Sequence, residues 1–220
     1  MTFDLRKLIR FISGILFVYF IFTANIQSVS GAFDYEYVTV GSAFKLLNQG
    51  IRVRLHSHEV TYGSGSGQQS VTGMDKKEDG NSYWQVRSPT DETLVRGTPI
   101  KCGQNVRLTH LTTSKNLHSH HFRAPLSSYA SEVSCFGNDG DGDDLDNWQV
   151  QCSGSLWSRN QFVSFKHVET GFYLTCSDQK FGRPIAGQHE IIAADNLGKK
   201  GKWKTVEGAF IKPVEEENNS

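Results

Sequence analysis

The chain has 220 residues, with 23 basic and 23 acidic side chains and a formal net charge of zero. That balance gives no electrostatic pull toward nucleic acid or anionic lipid. Hydrophobic residues make up 37% of the chain and charged residues 21%, which excludes a disordered polyelectrolyte and leaves enough apolar material for a packed core.

In chain order the first element is a leader. Arg6, Lys7 and Arg10 precede an uncharged apolar run from Phe11 to Phe22. The run is shorter than the roughly 20 residues that a membrane span needs, and Val29, Ser30 and Gly31 follow it as a small-residue cleavage signal. Residues 1–31 are therefore read as a signal peptide, cleaved before Ala32, leaving a mature chain with no membrane span. Losing Asp4, Arg6, Lys7 and Arg10 brings the net charge to −2, so the mature chain stays near neutral.

Beyond the leader the chain repeats itself. Phe44-Lys45-Leu46, Val106-Arg107-Leu108 and Val163-Ser164-Phe165 each alternate apolar and polar residues, the pattern of a strand with one buried face. A second strand is marked by Leu55, Leu117 and Leu174, each 11 residues beyond the start of the first. Third strands begin near Val71, Val133 and Ile191, and Trp84, Trp148 and Trp203 close the units. Turn formers separate first and second strands at Asn48-Gln49-Gly50, Thr112-Thr113-Ser114 and Glu169-Thr170-Gly171.

Units of this size cannot each bury enough surface to stand alone, so they should share one core. Three four-strand units closing on one another predict an all-β fold, a β-trefoil of about twelve strands with pseudo-three-fold symmetry. The expected organisation is one domain over residues 32–213, with repeats at about 35–96, 97–154 and 155–213, and a flexible tail over 214–220. The three tryptophans are assigned to the core, because a large aromatic recurring at one structural position lines a barrel, and no Gln-x-Trp lectin pattern accompanies them.

All four cysteines fall in the predicted mature chain, and four cysteines permit three pairings. Cys102 and Cys152 flank the second repeat, whose two ends lie close together in a trefoil, so these two are expected to form a structural disulfide. Cys135 and Cys176 each follow an inward strand residue by two places; a second bridge and two buried free thiols both remain open.

Two groups suggest metal chemistry. His56 and His58, and His118, His120 and His121, form corresponding His-Ser-His groups in repeats one and two. Each pair offers only two ligands on one face, so no metal is assigned. The run from Asp139 to Asp146 resembles a calcium loop, but Asp144 stands where such a loop needs glycine, and it is read as a solvated acidic loop. There is no Gly-x-Ser-x-Gly elbow, phosphate loop or HExxH string, so no catalytic residues and no cofactor are assigned.

Val106-Arg-Leu-Thr-His-Leu-Thr-Thr-Ser-Lys-Asn-Leu-His-Ser-His120 and Val163-Ser-Phe-Lys-His-Val-Glu-Thr-Gly-Phe-Tyr-Leu174 resemble MIR motifs. Further strings, Gly97-Thr-Pro-Ile-Lys-Cys102-Gly103, Glu132-Val-Ser-Cys-Phe-Gly137, Asp146-Asn-Trp-Gln-Val150 and Gly182-Arg-Pro-Ile185, are similar to the stromal cell-derived factor 2 family. The likeness runs from about Tyr35 to Pro213. It implies a non-enzymatic protein of the endoplasmic reticulum lumen, acting with a J-domain co-chaperone and BiP to keep misfolded client proteins soluble. Two departures stand out: Asn48 occupies the place of His110 and His167, and the chain ends Glu217-Asn218-Asn219-Ser220 rather than in a KDEL-like tetrapeptide. Retention through a partner and secretion both stay open.

The segment Leu117, His118, His120, His121, Phe122 and Arg123 concentrates aromatic and basic groups beside a turn and is the first expectation for a partner-binding patch. A mannose-type glycan is the competing ligand, since MIR modules accompany protein O-mannosyltransferases; Tyr129 and Phe181 are the aromatics to change in testing it.

Overall fold

The computed structural model describes residues 35–195 and 198–214. The signal peptide expected over 1–31 and all of the expected tail beyond 214 lie outside the described residues. Among the described residues twelve strands join one sheet, and every pairing is antiparallel. The first repeat supplies β1 (Ala43–Asn48), β2 (Arg54–Thr61), β3 (Gln69–Met74) and β4 (Trp84–Arg87). The second supplies β5 (Asn105–His110), β6 (Asn116–Arg123), β7 (Ser131–Phe136) and β8 (Trp148–Gln151). The third supplies β9 (Phe162–His167), β10 (Tyr173–Lys180), β11 (His189–Ala194) and β12 (Trp203–Ala209). This is the β-trefoil.

The first and last strands of each repeat close a barrel in the order β1, β4, β5, β8, β9, β12 and back to β1. The two middle strands of each repeat form a hairpin, and β3, β7 and β11 pair with one another to cap one barrel end. The opposite end is closed by a backbone ring whose residues, Val38, Ile100 and Trp157, also bury their side chains in the core. Val38 N–H donates to Trp157, Ile100 to Val38 and Trp157 to Ile100, at 2.9, 3.0 and 2.8 Å, so one residue per repeat completes a three-membered ring. The cyclic pairing of the six barrel strands leaves none of them with a free lateral edge.

Alternation decides what faces inward. Phe44, Leu46, Val106, Leu108, Val163 and Phe165 are fully buried, as are Leu55, Leu117, Leu174, Val71, Val133 and Ile191. Trp84, Trp148 and Trp203 are equally buried, and each indole N–H donates at 2.9 Å to the backbone carbonyl of Leu55, Leu117 or Leu174. The leucine that marks each second strand thus satisfies the one polar atom that a buried tryptophan carries.

Cys102 and Cys152 form a disulfide with their Cα atoms 5.3 Å apart, tying the two ends of the second repeat. The second bridge does not form. Cys135 and Cys176 are free thiols in different parts of the cap: Cys135 lies on β7 opposite Leu117 and Gln69, whereas Cys176 lies on β10 opposite Ile191. Their shared spacing from an inward residue places them on non-equivalent strands, the third of one repeat and the second of the next. Burial pushes both thiols up to about 12, which leaves little thiolate for exchange.

Candidate partner-binding surface

The segment Leu117 to Arg123 does not form one surface. Leu117 is core at 0% exposure, and His118 and His120 are also buried; only His121, Phe122 and Arg123 reach solvent. The reason is register. Asn116 to Ser119 pair continuously with β7, the ladder then shifts, and pairing resumes only at Arg123 opposite Ser131, so burial ends at His120 and the last three residues of the strand face solvent. Even Phe122 packs its ring edge against His120, with centroids 4.7 Å apart.

The buried histidines are structural polar links. His56 Nδ1 lies 2.8 Å from Asp79 Oδ2, and its Nε2 lies 2.7 Å from His58 Nδ1, so the nitrogens that would bind a metal are turned toward each other. Burial lowers the pKa of His56, with Asp79 partly offsetting it, and burial with the neighbouring His56 lowers that of His58. His118, Asp143 and Asp146 form the one group among the described residues whose potential metal-ligand atoms lie within 4.8 Å of one another. Those atoms already have work in the fold. Asp146 Oδ1 lies 2.9 Å from His118 Nδ1, while its Oδ2 accepts from Asn116 Nδ2 and the Asp143 N–H, each at 3.0 Å. Asp143 Oδ1 in turn accepts from the Leu145 N–H at 3.0 Å, completing a capping box on the short helical turn Asp144–Asp146.

The acidic run, expected from the sequence to be a solvated loop, is therefore only partly so. Asp146 is fully buried and anchors the loop from beneath. From the side, Arg87 donates to the Asp139 carbonyl and Arg107 to the Gly140 carbonyl.

A more exposed feature comes from the connection between β6 and β7. Tyr129 is 80% and Leu126 is 42% exposed, yet the loop that carries them is firmly held. Glu190 on β11, itself fully buried, accepts from the Leu126 N–H at 2.7 Å, the Ser127 N–H at 3.3 Å, Ser127 Oγ at 2.6 Å and Ser177 Oγ at 3.1 Å. Beneath the loop, Ala124 and Ala130 pack against Ile192 and Ala194. Tyr129 forms one wall of a groove of about 460 Å³ bounded by β10, by Ile192 and Ala194 of β11, and by the segment Gly198 to Lys200.

Tyr129 was legible in the sequence as an exposed aromatic. Glu190 was not: a glutamate at one end of a predicted strand reads as a solvated side chain. The available signal was its place before Ile191, matched by Glu132 before Val133, whose carboxylate likewise accepts from Ser66 in the loop of the first repeat.

Comparison with known proteins agrees with this architecture. The MIR domain model matches residues 45–151. Stromal cell-derived factor 2-like protein 1 of Homo sapiens is 54% identical over 178 residues, covering 81% of this chain and 80% of that protein. Stromal cell-derived factor 2 of Mus musculus is 51% identical, covering 87% of this chain and 90% of its own length. The crystal structure of the SDF2-like protein from Arabidopsis thaliana superposes with a TM-score of 0.78 at 41% identity, over 81% of this chain and 99% of that one. No helix among the described residues is long and apolar enough to cross a membrane. Three tryptophan-closed repeats sharing one core, with half-identical relatives matched over most of their length, place the chain in the stromal cell-derived factor 2 family.

Proposed function

We propose that this chain is a non-enzymatic, protein-binding subunit of a chaperone assembly in the endoplasmic reticulum lumen. In this reading it joins a J-domain co-chaperone and BiP and limits aggregation of misfolded secretory clients. The observation that carries the proposal is the extent of the family match, about half of all positions over four-fifths or more of both chains. The Cys102–Cys152 disulfide supports an oxidising compartment. A rigid barrel with pinned loops supports recognition by a fixed surface, the arrangement in which scaffold strands position binding loops.

Affinity purification of the tagged full chain from gently lysed cells tests this directly. Co-elution of a J-domain protein and BiP is the expected result, together with slower aggregation of a reduced secretory client when the purified chain is added. Recovery from the lumen with neither partner, and no effect on client aggregation, would overturn it.

A further inference from the structure

We infer that the groove beside Tyr129 docks an extended segment of a partner protein in which an apolar side chain stands next to a carboxylate. The inference rests on the protein-binding reading above and narrows it to one surface. Three observations carry it. First, the wall is built for contact. The position two residues before the third strand is Gly67 in repeat one and Gly187 in repeat three, with φ of +67° and +83°. Repeat two alone places an aromatic there, 80% exposed, and the fold gains no core packing from it. Second, the wall is preorganised. Three contacts to Glu190, from Leu126 and Ser127, fix the Tyr129 loop, so a ligand meets a surface whose ordering cost was met on folding.

Third, the polar lining selects the ligand. Thr175 Oγ1 donates to the Tyr173 carbonyl at 3.0 Å, Ser177 Oγ donates to Glu190, and Asp178 is paired with Lys200. These side chains are already engaged, which leaves few groups to read the hydroxyls of a sugar. Lys199, exposed on the same rim, has no ion-pair partner among the described residues. With Asp178 neutralised by Lys200, the rim carries one unpaired positive charge beside an apolar wall and the Ile192–Ala194 floor. An apolar side chain fits the wall and floor, and an adjacent carboxylate complements Lys199.

The test uses the purified full chain and a short fluorescein-labelled peptide alternating leucine and aspartate, read by fluorescence anisotropy. Matched peptides carry asparagine for aspartate or serine for leucine. Saturable binding is expected, weakened about tenfold by Tyr129→Ala and about fivefold by Lys199→Glu. Val95→Ser, at another exposed apolar site, should leave it unchanged, and both peptide replacements should weaken it. Equal binding by all variants, or none by the wild-type chain, overturns the assignment of this groove. Displacement of the peptide by mannose oligosaccharide in a Tyr129-dependent manner also overturns it, in favour of a glycan. Purification from cells separates the two levels: if Tyr129→Ala still captures the J-domain partner at the wild-type level, the groove falls and the protein-binding reading stands. If the wild-type chain captures no partner, the wider reading falls.

Discussion

Asn48, His110 and His167 occupy one position in three repeats and reach the same kind of target. His110 Nε2 donates to the Asn81 carbonyl at 2.9 Å, His167 Nε2 to Leu145 at 2.8 Å, and Asn48 Nδ2 to Lys200 at 2.7 Å. Each acceptor is the middle residue of the short helical turn that precedes a tryptophan. What reads in the sequence as a departure from the histidine pattern is thus a shorter donor doing the same task. The two side chains differ in one respect, since only histidine titrates. Burial pulls His110 down from 6.5 to about 4 and also lowers His167. The unfolded chain therefore binds the proton first: the stability from keeping His110 neutral is complete above 6.5 and is lost as pH falls toward the folded value. Between pH 6.5 and about 5 this one group removes roughly 2 kcal/mol. His110→Asn should cost about 1 kcal/mol at neutral pH, through lost packing on Trp84, and should lose less stability on acidification. Urea denaturation of both proteins at neutral pH and near pH 5 checks this; parallel losses would show that His110 is not the group responsible.

At the scale of the element, the turn between the first two strands of each repeat needs one left-handed residue, four places after Asn48, His110 or His167. Arg52 and Ser114 supply it with φ of 68° and 54°, and Gly171 supplies it with φ of 74°. Side chains with a Cβ resist this conformation by about 1–2 kcal/mol, so Arg52→Gly and Ser114→Gly are each expected to stabilise the chain by about 1 kcal/mol after the entropy cost of glycine. Gly171→Ala should destabilise it by a similar amount, although a Cβ there meets only Lys166 Cε at 3.8 Å. Thermal melts of the three single variants decide it, and a drop in melting temperature for Ser114→Gly would refute the account. The strands themselves were legible because one buried face imposes a period of two on residues such as Phe44 and Leu46. The partner surface was largely illegible. Leu117 to Arg123 lacks that period, since its two apolar residues stand five apart, and where burial gives way to solvent follows the register shift between Ser119 and Arg123, which no local pattern encodes. Glu190 was hidden for a related reason: its four donors come from β10 and from a loop about 60 residues away, and only closure of the cap brings them together.

Across the whole molecule, no repeat owns its core. Each of β3, β7 and β11 pairs with a strand from both other repeats, and the backbone ring of Val38, Ile100 and Trp157 takes one residue from each. A repeat released from the other two would expose cap-strand hydrogen bonds and the face around its tryptophan together, so loss of any one repeat removes the interior of all three. The Cys102–Cys152 disulfide acts on this unit by restricting the unfolded chain. With the cysteines 50 residues apart, loop-closure entropy gives about 4 kcal/mol of stabilisation. For a domain of this size that corresponds to a fall of roughly 8–16 °C in melting temperature when both cysteines become serine. Because the bridge joins the ends of one repeat within a shared core, the lowered transition should remain single, with tryptophan fluorescence and circular dichroism following the same curve. A variant that melts in two steps, with the second repeat lost first, would mean that the repeats fold separately and that the closed barrel is not one cooperative unit.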